Sequence, residues 1–81
     1  MDKIKILFEQ MKLTVDEQEK YRNLSLKEVV VDSKNKNWIF VLGSTEILGL
    51  SDYDFLKEKL ESAFLNIKEV ELKIEPENKI D

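Results

Sequence analysis

Val29-Val30-Val31-Asp32-Ser33-Lys34-Asn35-Lys36-Asn37-Trp38-Ile39-Phe40-Val41-Leu42 holds two β-rich runs separated by a short polar stretch. Three β-branched residues in succession, and a second run alternating aromatic and branched side chains, favour strands over helix. Asp, Ser, Asn and Lys tolerate tight and left-handed turn positions, so the two runs are expected to pair antiparallel through a turn over 32–37. In the second strand Trp38, Phe40 and Leu42 share one face, while Ile39 and Val41 share the other. The larger side chains mark the first face as the core side.

Upstream, Ile4, Leu7, Phe8 and Met11 fall at i, i+3, i+4 and i+7, which predicts an amphipathic helix over 3–12, with Asp2 as its N-cap. Thr14-Val15-Asp16-Glu17 has the capping-box form, with acids in the first turn, and predicts a short second helix to about Arg22. Ser25-Leu26-Lys27-Glu28 has the same form, but the Val run behind it points to a strand, so this box is read as a decoy. Downstream, 43–50 reads as a loop. Ser51 is expected to cap the main helix, over about 52–65, whose stripe comprises Tyr53, Leu56, Leu60, Ala63, Phe64 and Ile67. Val70, Leu72 and Ile74 alternate with charged residues as a half-buried strand that Pro76 ends. The reading is a small two-layer α+β domain in the order α-α-β-β-α-β. Its three-stranded mixed sheet carries helices, and the main helix crosses over to bring the last strand parallel to the second. Residues 1–75 form the expected domain and 76–81 a polar linker.

Size and charge narrow the function classes. With 81 residues, 42% of them hydrophobic, the chain supports one modest core and not two domains. Acids outnumber bases 17 to 13 for a net charge of −4, and the lysines are interspersed with carboxylates, so a phosphate backbone meets little attractive field. With no Cys and no His, disulfides, zinc–thiolate sites, thiolate nucleophiles and the commonest general base are all missing. No apolar run approaches the ~18 residues of a membrane span. A soluble, cytoplasmic chain without cofactor or metal is the expectation.

The remaining chemistry is thin. Asp54 with Glu58, or Glu58 with Glu61, sit on neighbouring helical turns, yet Lys57 and Lys59 beside them mark a solvated face. Asp52 and Asp54 have the oxygens for Mg²⁺ or Ca²⁺ but no ligand loop, and helix capping accounts for them better. Gly43-Ser44-Thr45 followed by Gly49 lacks the Lys of a phosphate loop. Trp38 and Phe40 could stack bases, but their neighbourhood is not basic and the alternation continues into Leu42, which favours core packing. Ile39 and Val41, with Val30, are expected either to lie under the N-terminal helix, the favoured reading, or to form an apolar patch for a partner. Ile47, Leu48 and Leu50 make a second candidate patch. Phe55, off the main stripe, either joins it or makes a contact inside the domain.

Lys5-Ile6-Leu7-Phe8-Glu9-Gln10-Met11, the Lys/Ser/Asn turn, Trp38-Ile39-Phe40-Val41-Leu42 and Phe64-Leu65-Asn66-Ile67-Lys68-Glu69-Val70 occur in an order that resembles the N-terminal domain of PolC-type DNA polymerase III of Gram-positive bacteria. The likeness spans roughly residues 3 to 75. Ile39 and Val41 depart from it, these positions being often polar in that family. The resemblance implies the first module of a long polymerase chain, followed by a KH-like module and then exonuclease and polymerase regions, none of which lies in these residues. It also implies a role in docking replisome proteins, because the module looks like the domain of the clamp-loader tau subunit that contacts the polymerase in other bacteria. Partner-binding candidates on this reading are Ile39, Val41, Ile47, Leu48, Leu50 and Phe55. Two alternatives stand beside it. One is a nucleic-acid-binding accessory with Lys3, Lys5, Lys34 and Lys36 on one face, and the other is a structural domain packed on the rest of the polymerase.

Overall fold

The structure, a computed structural model, describes residues 3–77. Three strands form one mixed sheet in the order β1-β2-β3: β1 (Leu24–Asp32), β2 (Asn37–Ser44) and β3 (Glu69–Pro76). β1 and β2 pair antiparallel across the expected turn, and β3 lies parallel to β2 after the crossover through the main helix. Three helices complete the α-α-β-β-α-β order: α1 (Lys3–Gln10), α2 (Val15–Lys20) and α3 (Leu50–Ala63). The expected fold class is the observed one. The N-cap expected at Asp2 lies outside the described residues.

Local signals account for most of the element ends. At the N-terminus of α2, the Thr14 hydroxyl accepts from the Glu17 N–H at 3.1 Å while the Glu17 carboxylate accepts from the Thr14 N–H at 2.8 Å. The complete capping box satisfies two donors the helix itself leaves orphaned. α1 stops in a Schellman turn. Lys12 takes φ 58°, its N–H donates to the Glu9 carbonyl, and the Leu13 N–H donates to the Phe8 carbonyl. The motif usually carries Gly at the left-handed position, and its lysine hides it from a sequence reading. Lys36, at φ 57°, closes the β1–β2 turn. Its carbonyl accepts the N–H groups of Lys68 and Glu69, which ties the turn to the start of β3.

The decoy capping box at Ser25 is indeed strand, and β1 begins at Leu24 with a bulge between Leu26 and Glu28. Gly43 and Ser44, expected in a loop, extend β2, because they pair with Ser25 and Leu24 on one side and with Glu75 and Pro76 on the other. α3 starts at Leu50, two residues before the expected position, so Ser51 is not its cap. Gly49 occupies the cap position, and its N–H donates to Asp52 Oδ2 at 3.3 Å. Beyond Glu75, Pro76 is still strand, and the Glu77 N–H donates to the Ser44 carbonyl at 2.7 Å.

All three helices contribute to one layer on one face of the sheet. The core joins Ile4, Leu7, Phe8 and Met11 of the first helical segment to Phe40, Leu42, Val70 and Leu72 of the sheet and to Leu56 and Leu60 of α3. Trp38, Phe40 and Phe64 form an aromatic triangle with centroids 5.2–6.0 Å apart. Phe40 is 2% exposed and Trp38 packs against the core, so this pair is a packing element and not a base-stacking platform.

Candidate partner-docking surface

Strand alternation places Val30, Ile39 and Val41 on the sheet face opposite the helices. Val30 pairs with Ile39 and Glu28 with Val41, while Glu71 and Lys73 flank them from β3. The favoured expectation, that these residues lie under the N-terminal helix, is overturned, because α1 packs on the other face with Phe40 and Leu42. None of the three belongs to the core cluster. Val41 is nonetheless 7% exposed, between Glu28 and Lys73, whose long stems can shield a β-branched neighbour. Ile39 is half-buried and Val30 is exposed. The outer face is therefore a narrow apolar strip in a charged border.

The β2–α3 loop forms a second surface. The buried Ser44 hydroxyl donates to the Glu46 carbonyl at 2.6 Å and accepts from the Glu46 N–H at 3.1 Å, fixing the turn that follows β2. This turn throws Ile47 completely into solvent, with Leu50 76% exposed beside it. A cleft of about 340 Å³ opens there, lined by Ile47, Leu48, Tyr53, Ile74, Pro76 and Glu77 among others. It lies at the carboxyl ends of the parallel strands β2 and β3, where a crossover leaves a crevice in open sheets. The Tyr53 hydroxyl donates to the Leu72 carbonyl at 2.9 Å, holding one wall in place.

The six candidate residues thus separate into three groups. Ile47 and Leu50 are exposed together, whereas Leu48 turns inward and packs against the core. Phe55 also packs against the core and stacks on Tyr21 at 5.9 Å, away from the loop. Ile39 and Val41 lie on the outer sheet face. Glu77 lines the loop cleft, accepts the Ser25 hydroxyl at 2.5 Å, and covers Gly43 so closely that a Cβ there would overlap its carboxyl group. Sequence reading missed Glu77 because only the β2–β3 register brings it over a glycine.

Asp52 joins α2 to α3. Its carboxylate accepts the Tyr21 hydroxyl at 2.8 Å and pairs with Lys20 at 3.3 Å. The Tyr21 hydrogen bond above all, then Lys20 and the Gly49 N–H, hold this carboxyl below its ordinary value against the opposing effect of burial. Burial first, and Asp52 second, push the Tyr21 hydroxyl up to about 12. These contacts give Asp52 a structural role. Asp54, Glu58 and Glu61 are exposed, and among the described residues no group of carboxylates is arranged to hold a metal ion. No helix there is long and apolar enough to cross a membrane.

The family model for DNA polymerase III polC-type N-terminus I matches residues 3–74. The chain belongs to this family. Comparisons with curated proteins and with solved structures give no significant match. The residues that carried the PolC resemblance can now be placed in the fold. Leu7, Trp38, Phe40, Leu42, Phe64, Ile67 and Val70 lie in or against the core of this PolC N-terminal domain, while Lys5, Glu9, Gln10, the Lys/Ser/Asn turn, Asn66, Lys68 and Glu69 are exposed.

Proposed function

We propose that this PolC-type N-terminal domain is a non-catalytic interaction module that docks the polymerase to replisome proteins, the clamp-loader tau subunit being the partner. The observation that carries the proposal is the pair Ile47 and Leu50, exposed at 100% and 76% on a turn fixed by Ser44 and beside an apolar-walled cleft. Scattered single apolar residues need no explanation, but two large ones held out on a fixed turn beside a cleft have the form of an anchor and its socket. Ile39 and Val41 extend the surface onto the outer sheet face. The non-catalytic part of the reading is supported by a sequence without His or Cys. Its net charge of −4 also favours a protein partner over nucleic acid.

The test is an amide NMR titration of the isotope-labelled chain with the tau subunit from the same source, at physiological salt. Localised shifts at Thr45 to Leu50, extending to Ile39 and Val41, are expected. A spectrum unchanged at saturating tau would sink the proposal.

A further inference from the structure

β1 is an edge strand: it pairs with β2 on one side, and no strand lies on the other among the described residues. Natural edges are blunted by charge, Pro or bulges, and the first half of β1 has such protection in its bulge at Leu26/Glu28 and the charge of Lys27. The second half has no bulge and no Pro: Val29, Val30 and Val31 run in regular register between Glu28 and Asp32, with Val30 41% and Val31 50% exposed. Beside this half, on the helix face, lies a groove of about 280 Å³ whose apolar wall comprises Ile6, Leu7, Leu26, Val29, Phe40 and Phe64. Ile6 is 43% exposed there. A bare strand edge with an apolar groove beside it has the two parts of strand addition, in which main-chain hydrogen bonds hold an extended segment and alternate side chains enter pockets.

The opposite face of the same edge says what the segment carries. Glu28, Val30 and Asp32 alternate outward there; Asp32 accepts the Asn35 N–H at 3.1 Å and its side-chain amide at 2.9 Å within the turn, Lys27 is paired with Glu75 at 3.3 Å, and Lys73 lies on β3, on the far side of Val41 from Glu28. Glu28 has no ion pair among the described residues. A second copy of this chain fits poorly, since the register that sets the two Val runs against each other places Glu28 opposite Asp32, and like charges directly across strands repel. We propose that the free edge of β1 receives an extended segment of another protein in which apolar residues alternate with Lys or Arg. The apolar set fills the groove beside α1 and the basic set meets Glu28 and Asp32. This surface is separate from the β2–α3 loop and does not depend on docking there.

The probes are a short synthetic peptide alternating Val with Lys and a counterpart with Glu for every Lys, each titrated into the isotope-labelled chain. The Lys peptide is expected to shift the amides of Val29 to Asp32 together with Ile6, Leu26 and Phe64, and to slow exchange of edge amides in β1. The Glu peptide should bind about tenfold more weakly, and Glu28→Lys, at an exposed position that leaves the fold intact, should weaken the Lys peptide about threefold. Equal binding of both peptides would overturn the proposal, as would shifts confined to Thr45 to Leu50. So would concentration-dependent shifts of β1 without any peptide, which would assign the edge to a second copy. Tau docking is read at Thr45 to Leu50 and peptide binding at the edge amides of β1, Ile39 and Val41 being left out because they pair with Val30 and Glu28 and respond to both, so failure of one leaves the other standing.

Discussion

At the scale of single residues, Asp52 on α3 and the buried Tyr21 that follows α2 form a coupled pair. Asp52 has a lowered folded-state value, so its contribution to stability is present above its ordinary value of 3.8 and is lost as pH falls through the folded one. Tyr21 is raised from 10.0 to about 12, so its contribution is present below pH 10 and is lost as pH rises through that interval. Tyr21→Phe removes the shared hydrogen bond, and the Asp52 carboxyl should then titrate nearer its ordinary value. It should also lower stability at neutral pH by about 1 kcal/mol and flatten both limbs of the stability–pH curve. Carboxyl-detected NMR and urea unfolding across pH check these outcomes. An unmoved Asp52 would mean that Lys20 and Gly49 suffice.

Leu56 and Leu60, both at 0% exposure, set the other residue-scale limit. Leu60→Ala should cost about 2–5 kcal/mol, read as a lowered urea midpoint. In a domain of this size that is a large part of the total stability.

Among elements, the end of α1 carries strain that can be relieved. Lys12 holds a left-handed conformation that a Cβ disfavours by about 1 kcal/mol, while its N–H and that of Leu13 close the Schellman turn. Lys12→Gly should therefore stabilise the chain by up to about 1 kcal/mol, offset in part by the freer unfolded state. Thermal unfolding decides the sign, and a lowered midpoint would mean that the lysine side chain makes a contact worth more than the strain. The α2 capping box, by contrast, was legible because Thr14 and Glu17 act through atoms three residues apart. The start of α3 was not, because Gly49 has no side chain to advertise a cap and Ser51 imitates one. The C-terminal end of β2 was also hidden: Gly43 and Ser44 have turn composition, and only pairing on both sides makes them strand.

Across the whole molecule, the proposed docking residues Ile47 and Leu50 lie outside the core that holds the fold. Ile47→Asp with Leu50→Asp should leave the urea midpoint within about 0.5 kcal/mol of the parent, since both side chains are outside the core, and should abolish the tau-induced shifts. Loss of fold in this double variant would show that the loop belongs to the core after all. The family match spans residues 3–74 and so includes this loop, but by itself assigns the loop no partner.

The α+β class, the element order and the inward stripes of α1, β2, α3 and β3 are legible in the sequence, because periodicity and caps are local and each operates within a few residues; the family is carried separately, by the match over residues 3–74. Only the tertiary structure decided that α1 lies on the same sheet face as α3, leaving Val30, Ile39 and Val41 on the other side. It alone decided that Leu48 and Phe55 turn inward while Ile47 and Leu50 do not, and that Glu77 closes over Gly43. Those outcomes depend on which of two apolar strand faces the helices cover. Both faces of β2 are apolar: the larger volume of Trp38, Phe40 and Leu42 marks theirs as the core side in the sequence already, but alternation is silent on whether a helix also covers Ile39 and Val41, and the closing of Ile4, Leu7 and Phe8 with Leu56 and Leu60 on one face left the other without a helix.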